Sequence, residues 1–101
     1  MRELDWQLET AEGKFCFYGI GPLSKENFSQ LQLLLGKNPT FLFDQDKSKW
    51  GKSFHGVKCL NLRDFLALPR STVIFITVRD IRSASEYLGR NGFENIYCVA
   101  F

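Results

Sequence analysis

The sequence predicts an α/β fold: a single domain, with a parallel sheet of four or five strands in the order 2-1-3-4 and helices on both faces. Three observations predict it. Short apolar runs recur along the chain and are near-continuous rather than alternating, the pattern of strands covered on both sides. The segments between them carry apolar residues at helical spacing. The two kinds of segment alternate, and strand–helix–strand alternation implies right-handed crossovers into a parallel sheet.

The first run is Phe15, Cys16, Phe17 and Tyr18, closed by Gly19. A helix is expected from Ser24 to Leu35: Phe28, Leu31 and Leu35 share one face, Ser24 suits the N-cap and Gly36 supplies the stop. The second run is Thr40, Phe41, Leu42 and Phe43, closed by Asp44. Val57, Lys58, Cys59 and Leu60 are a candidate short edge strand. Asn61 with Asp64 resembles a capping box ahead of Phe65 and Leu66, so a short helix is expected there. The third run, 72–77, is β-branched through its centre, and the fourth occupies 95–99. Between them Ile81, Ala84 and Leu88 repeat the helical stripe before Asn91 and Gly92. An N-terminal arm, 1–13, precedes the domain at 14–101. Within it Leu4, Trp6 and Leu8 alternate like a strand, and a short helix or a packing arm fits equally.

A chain of 101 residues fits one domain and can bury a core without staples. Its 45% apolar and 24% charged residues are globular values, which exclude a disordered or fibrous chain. Lys and Arg number 13 against 11 Asp and Glu, a net charge of +2. That is too balanced for non-specific nucleic-acid binding. No apolar run approaches a membrane span, and the opening residues hold no signal-peptide core. The expectation is a cytoplasmic domain with no nucleic-acid and no membrane partner. Cys16, Cys59 and Cys98 include no CxxC pair, which argues against a disulfide framework and a zinc site. Cys16 and Cys98 sit inside apolar runs, as small buried hydrophobes do. His55 is the one histidine, and nothing in its position pairs it with a nucleophile.

The chemistry concentrates where the first run meets the first helix. Tyr18, Gly19, Ile20, Gly21, Pro22, Leu23 and Ser24 read G-x-G-x-x-S, after a strand and opening a helix. Two glycines permit a tight turn and close backbone approach to a phosphate, and the helix N-terminus favours an anion. Ser24 replaces the third glycine, and Pro22 removes one N–H from the loop. Asp44 ends the second strand, where a carboxylate can accept hydrogen bonds from a ribose, and Asp46 follows two residues on. An acid there favours an NAD-like or simple nucleotide ligand over one bearing a 2′-phosphate. Asp44 and Asp46 could equally do no more than shape a turn. Arg79, Asp80 and Arg82 fall at the carboxyl end of the third strand, where Arg79 could pair with a phosphate. The alternative there is a solvated helix start capped by Asp80. Trp50, Lys52 and His55 lie on the long connection after the second strand, where they pack the loop or, for Trp50, flank a base or sugar.

The stretch from Phe43 through Asp44, Asp46, Lys49, Trp50, Gly51 and Gly56 to Val57 resembles the F-I-D-x-D-x-x-K-W-G-x-x-x-x-G-x-P-V stretch of a bacterial family. These are small Rossmann-like domains at the front of sugar O-acyltransferases. Similar ones lie alongside FkbM-type methyltransferases, glycosyltransferases and polysaccharide-biosynthesis epimerases. Tyr18 to Gly21 resembles that family's Y-G-x-G opening, Leu68-Pro69 its L-P, and 92–97 its G-F-x-N-I-Y; the likeness spans 14–100. It implies a nucleotide or nucleotide-sugar site made by Gly19, Ile20 and Gly21 with Asp44 and Asp46, and Leu23 and Ser24 of the same turn are counted as candidates beside them. Pro22, Ser24 and the ending Thr77, Val78, Arg79 and Asp80 depart from the family's pattern. No hexapeptide repeat follows, so the acyl transfer itself is not expected from this chain.

The expectation is a non-catalytic nucleotide or nucleotide-sugar binding domain tied to glycan modification, with an NAD-like ligand also compatible. Two alternatives stand beside it: a ligand-free structural or dimerisation module, and a fragment of an NAD-dependent oxidoreductase. The latter would leave no room for a substrate domain. Ten phenylalanines in a core this small suggest an exposed apolar patch. A homodimer or a partner enzyme domain would cover it, with the arm around Trp6 as the docking element.

Overall fold

The computed structural model describes residues 14–99. The arm at 1–13, and the docking role expected for Trp6, lie outside the described residues. In chain order the strands are β1 (Phe15–Tyr18), β2 (Phe41–Phe43), β3 (Ser53–Phe54), β4 (Val57–Lys58), β5 (Val73–Ile76) and β6 (Ile96–Cys98). The helices are α1 (Lys25–Leu35), α2 (Leu62–Leu66) and α3 (Ile81–Arg90). Four strands form one parallel sheet in the order β2-β1-β5-β6. Counting those four alone, this is the expected 2-1-3-4.

Register explains why the runs are apolar throughout. Leu42, Phe17, Phe75 and Tyr97 lie side by side across the four strands, all buried on one face. Phe28 and Leu31 of α1 close that face, with Phe28 edge-on to Phe17 at 6.1 Å between ring centres. One residue along, Phe43, Tyr18 and Ile76 form the row of the opposite face. Phe65 of α2 and Ala84 and Leu88 of α3 cover it. Phe65 stacks on Phe43 with ring centres 4.0 Å apart, and both are fully buried. Burying a side chain of that size contributes about 1.5–3 kcal/mol.

Each helix starts on a side-chain cap. Ser24 Oγ accepts from the Asn27 N–H at 3.1 Å, Asn61 Oδ1 from the Asp64 N–H at 2.8 Å, and Asp80 Oδ1 from the Ser83 N–H at 3.1 Å. Gly36, at φ 77°, ends α1 in the left-handed region.

Three expectations change. The segment at 57–60 does not extend the sheet as a strand. It turns at His55 and Gly56, both at positive φ, and pairs Val57–Lys58 antiparallel with Ser53–Phe54. Only the next residues reach the sheet, through a parallel bridge of Cys59 to Leu42 and a Leu60 N–H to Leu42 O bond of 2.9 Å. Cys98 is half-buried, because β6 lies at the end of the strand order. None of the described phenylalanines is exposed: strands buried on both faces, and the helices and loops that cover them, absorb them. Among the described residues the large exposed apolar side chains are leucines, Leu33 and Leu34 of α1 at 85% and 70% and, less so, Leu62.

Candidate functional site

β1 and β5 are neighbours, yet β1 leads through α1 to one edge of the sheet and β5 through α3 to the other. Connections that leave in opposite directions open a gap at the carboxyl ends of the two strands, where α/β sheets take ligands. Two turns line this gap, 19–24 after β1 and 77–80 after β5.

The first turn is drawn tight. Gly19 has φ 111°, and its N–H donates to Phe43 O at 2.7 Å. A Cβ on Gly19 would lie 2.2 Å from Val78 Cγ1, so the two turns touch at this glycine. The Thr77 hydroxyl, fully buried, lies against the carbonyl oxygens of Tyr18, at 2.9 Å, and Gly19. The Ile20 N–H donates to Asp44 Oδ2 at 2.9 Å. The Leu23 N–H donates to Ile20 O, the Ser24 N–H to Pro22 O, and Asn27 Nδ2 to the same Pro22 oxygen. Gly21 differs. It is exposed, a Cβ there would meet nothing within 4 Å, and its N–H has no acceptor among the described residues.

Asp44 is the knot of the opposite wall. Its Oδ2 takes the Ile20 N–H and lies 3.5 Å from Lys49 Nζ, and its Oδ1 takes the Asp46 N–H at 2.9 Å. Its carbonyl accepts from Trp50 Nε1 at 2.7 Å, and the Trp50 ring stacks on Phe43. Asp46 caps the 3-10 turn Lys47–Lys49, accepting from both the N–H and the hydroxyl of Ser48. Those bonds hold its carboxyl below the usual carboxylate range. Both acids therefore do shape a turn. A carboxylate oxygen has two lone pairs, so Asp44 Oδ1 keeps one for a ligand.

Two crevices flank the contact between Gly19 and Val78. The larger, about 380 Å³, runs between α3 and the ends of β1 and β2; Tyr18, Asp44, Gln45, Ala84, Tyr87 and Arg90 give it its character. Burial first, then the neighbouring Tyr87 and Asp44, push the Tyr18 phenol up to about 12, against the effect of its hydrogen bond with Gln45. It stays a neutral donor. The smaller crevice, about 330 Å³, is bounded by Pro22, Asn27, Thr77, Val78 and Arg79. Val78 belongs to both and forms the ridge between them.

Of the residues read from the sequence, Gly19 and Asp44 share the larger crevice and Arg79 lies on the smaller. Ile20 and Leu23 point into the core beneath the turn, and Ser24 and Asp46 serve as caps. His55 Nε2 lies 2.7 Å from Leu23 O and its ring stacks on Phe28, so the hairpin packs onto α1. Sequence reasoning missed Tyr18, Gln45, Tyr87 and Arg90. Tyr18 reads as one more strand residue. Tyr87 and Arg90 stand beside the buried stripe of α3, and only the packing of that helix reveals which cleft they border.

No family model matches the chain, and no curated protein matches it in sequence. Its chemistry must be read from the residues in place. No group of His, Cys, Asp or Glu fit to hold a metal occurs among the described residues. Burial pushes the thiols of Cys16, Cys59 and Cys98 up, which keeps them protonated and poor nucleophiles. Among the described helices none is long and apolar enough to cross a membrane. The arrangement offers hydrogen-bond donors, acceptors and aromatic surface around a cleft.

Proposed function

We propose that the chain is a Rossmann-like, non-catalytic binding domain for a nucleotide or nucleotide-sugar. The observation that carries this reading is the inequality of its two turn glycines. Gly19 has a structural cause: its φ and the approach of Val78 admit no side chain. Gly21 has none, since its φ lies outside the left-handed region and a Cβ there would meet nothing within 4 Å. A glycine the fold does not need, exposed and with no acceptor for its N–H among the described residues, on the turn whose Gly19 and Pro22 line the two crevices, leaves room for the close approach of a ligand. The crevices on either side of the ridge suit a ligand of two halves joined by phosphates, the smaller offering the Arg79 guanidinium and the larger hydroxyl-binding groups.

Calorimetric titration with ADP, NAD and UDP-glucose tests this. Binding by the natural protein is expected at micromolar to millimolar concentration. Gly21→Leu should weaken it at least tenfold while the melting temperature stays within about 4 °C, a surface change being worth about 0.5 kcal/mol or less. No binding at millimolar ligand would overturn the reading and leave a structural module. The closed Ile20–Asp44 bond favours that second reading, because it removes one N–H from any phosphate cradle.

A further inference from the structure

We infer that the larger crevice selects the base of its ligand, taking uracil or guanine over adenine through Arg90, with Tyr87 as the stacking surface. The inference rests on the nucleotide reading above and adds the part of the ligand that reading leaves open. The crevice follows α3 from Ser83 to Arg90, both of which line it. Seven residues at a rise of 1.5 Å make it about 10 Å long, the length of a nucleoside from ribose to the far edge of its base. Its two ends differ in charge. Asp44 and Asp80 stand at the carboxyl edge of the sheet, and Arg90 at the other end of the helix.

The acidic end suits hydroxyls and repels phosphate, so it takes the sugar. The base then lies over Ala84 and Tyr87. Ala84 is small and buried, which gives a shallow floor, and the half-buried Tyr87 ring, 6.1 Å from that of Tyr18, supplies an aromatic surface. Stacking on such a ring is tolerant of base identity. Discrimination falls to the far edge, where the Arg90 guanidinium makes no ion pair among the described residues; Arg82 is engaged by Glu86 and Lys49 by Asp44. A guanidinium only donates. Guanine presents O6 and N7 as adjacent acceptors and uracil presents its carbonyl oxygens, whereas adenine sets its N6 amino donor beside N7, so one of two guanidinium N–H groups would face a donor.

Titration of the protein with UDP, GDP and ADP at one fixed ionic strength is the test. UDP or GDP should bind at least tenfold tighter than ADP. Arg90→Met should erase that difference by weakening the carbonyl-bearing base and leaving ADP unchanged, and Tyr87→Leu should weaken all three. Arg90 is exposed, so its variant should melt like the natural protein. ADP binding tightest, or Arg90→Met weakening all three equally, would overturn the inference while the nucleotide reading stands. Failure of the natural protein to bind any of the three would overturn both.

Discussion

The two turns at the mouth of the sheet are built to different ends. The turn at 19–24 is tied to the strands beside it and to itself: Gly19 to Phe43, Ile20 to Asp44, Leu23 to Ile20, with Thr77 pressed beneath it. The turn at 77–80 has fewer ties: the Thr77 N–H donates to Tyr18 O, the Ile81 N–H to Arg79 O, and Asp80 caps α3. Between those anchors Arg79 is exposed. One turn spends its polar groups on its own shape, and the other keeps a charged side chain for the solvent. A motif that reads as a binding loop can thus be mostly a device for fixing the neighbouring wall.

The sharpest way to break this contrast is to loosen the rigid turn. Gly19→Ala forces a side chain into left-handed backbone and against Val78, and should cost about 3 kcal/mol, strain and overpacking together. In a domain this small that lowers the melting temperature by roughly 15 °C. Gly21→Ala should cost at most about 0.5 kcal/mol. Equal losses at the two glycines would mean that the contrast between them is not real.

Asp44→Ala comes next. A residue reserved for ligand could be removed without cost to the fold, which is one of the two readings that the sequence alone leaves open. The geometry says otherwise, since the Ile20 and Asp46 N–H groups lose their acceptor. Stability should fall by about 2 kcal/mol, the range for stranding a buried donor or losing a bond to a charged group. A denaturant midpoint that does not move would return Asp44 to the status of a ligand group alone.

The smallest effect belongs to the looser turn. Hydrogen bonds from the Ser83 N–H and hydroxyl hold the Asp80 carboxyl below its usual 3.8. Its folded value lies below its unfolded one, so its contribution is present above about 3.8 and is lost as the pH falls through the folded value. Asp80→Asn keeps a cap oxygen. It should match the natural protein at pH 7 and lose less stability between pH 4 and 2, as read from melting curves across that range.

Legibility followed the range of the interactions involved. The four parallel strands, the three capped helices and their stripes are local patterns, and each appeared where the residues place it. The strand order too was legible, because crossover handedness leaves few arrangements. The hairpin at 53–58 was not: His55 and Gly56 can both turn the chain in the left-handed region, but Val57 to Leu60 read alone as one strand. The site was half legible. Gly19 and Asp44 were found through a motif, but their bond through Ile20, across 24 positions of sequence, is visible only in the folded chain. Tyr87 and Arg90 carry no motif at all.

The bridge from Cys59 to Leu42 bears on how copies of this protein can meet. An outermost strand with free N–H and C=O groups is a template on which another chain can add a strand. β2 is such a strand by its place in the order, yet its outer side is occupied at Leu42 by Cys59 and by the Leu60 N–H, with the hairpin folded just beyond. A short irregular stretch therefore serves as a guard rail. It denies that side of the sheet to strand-by-strand growth into aggregates, and any pairing between copies through β2 would first have to peel the hairpin away.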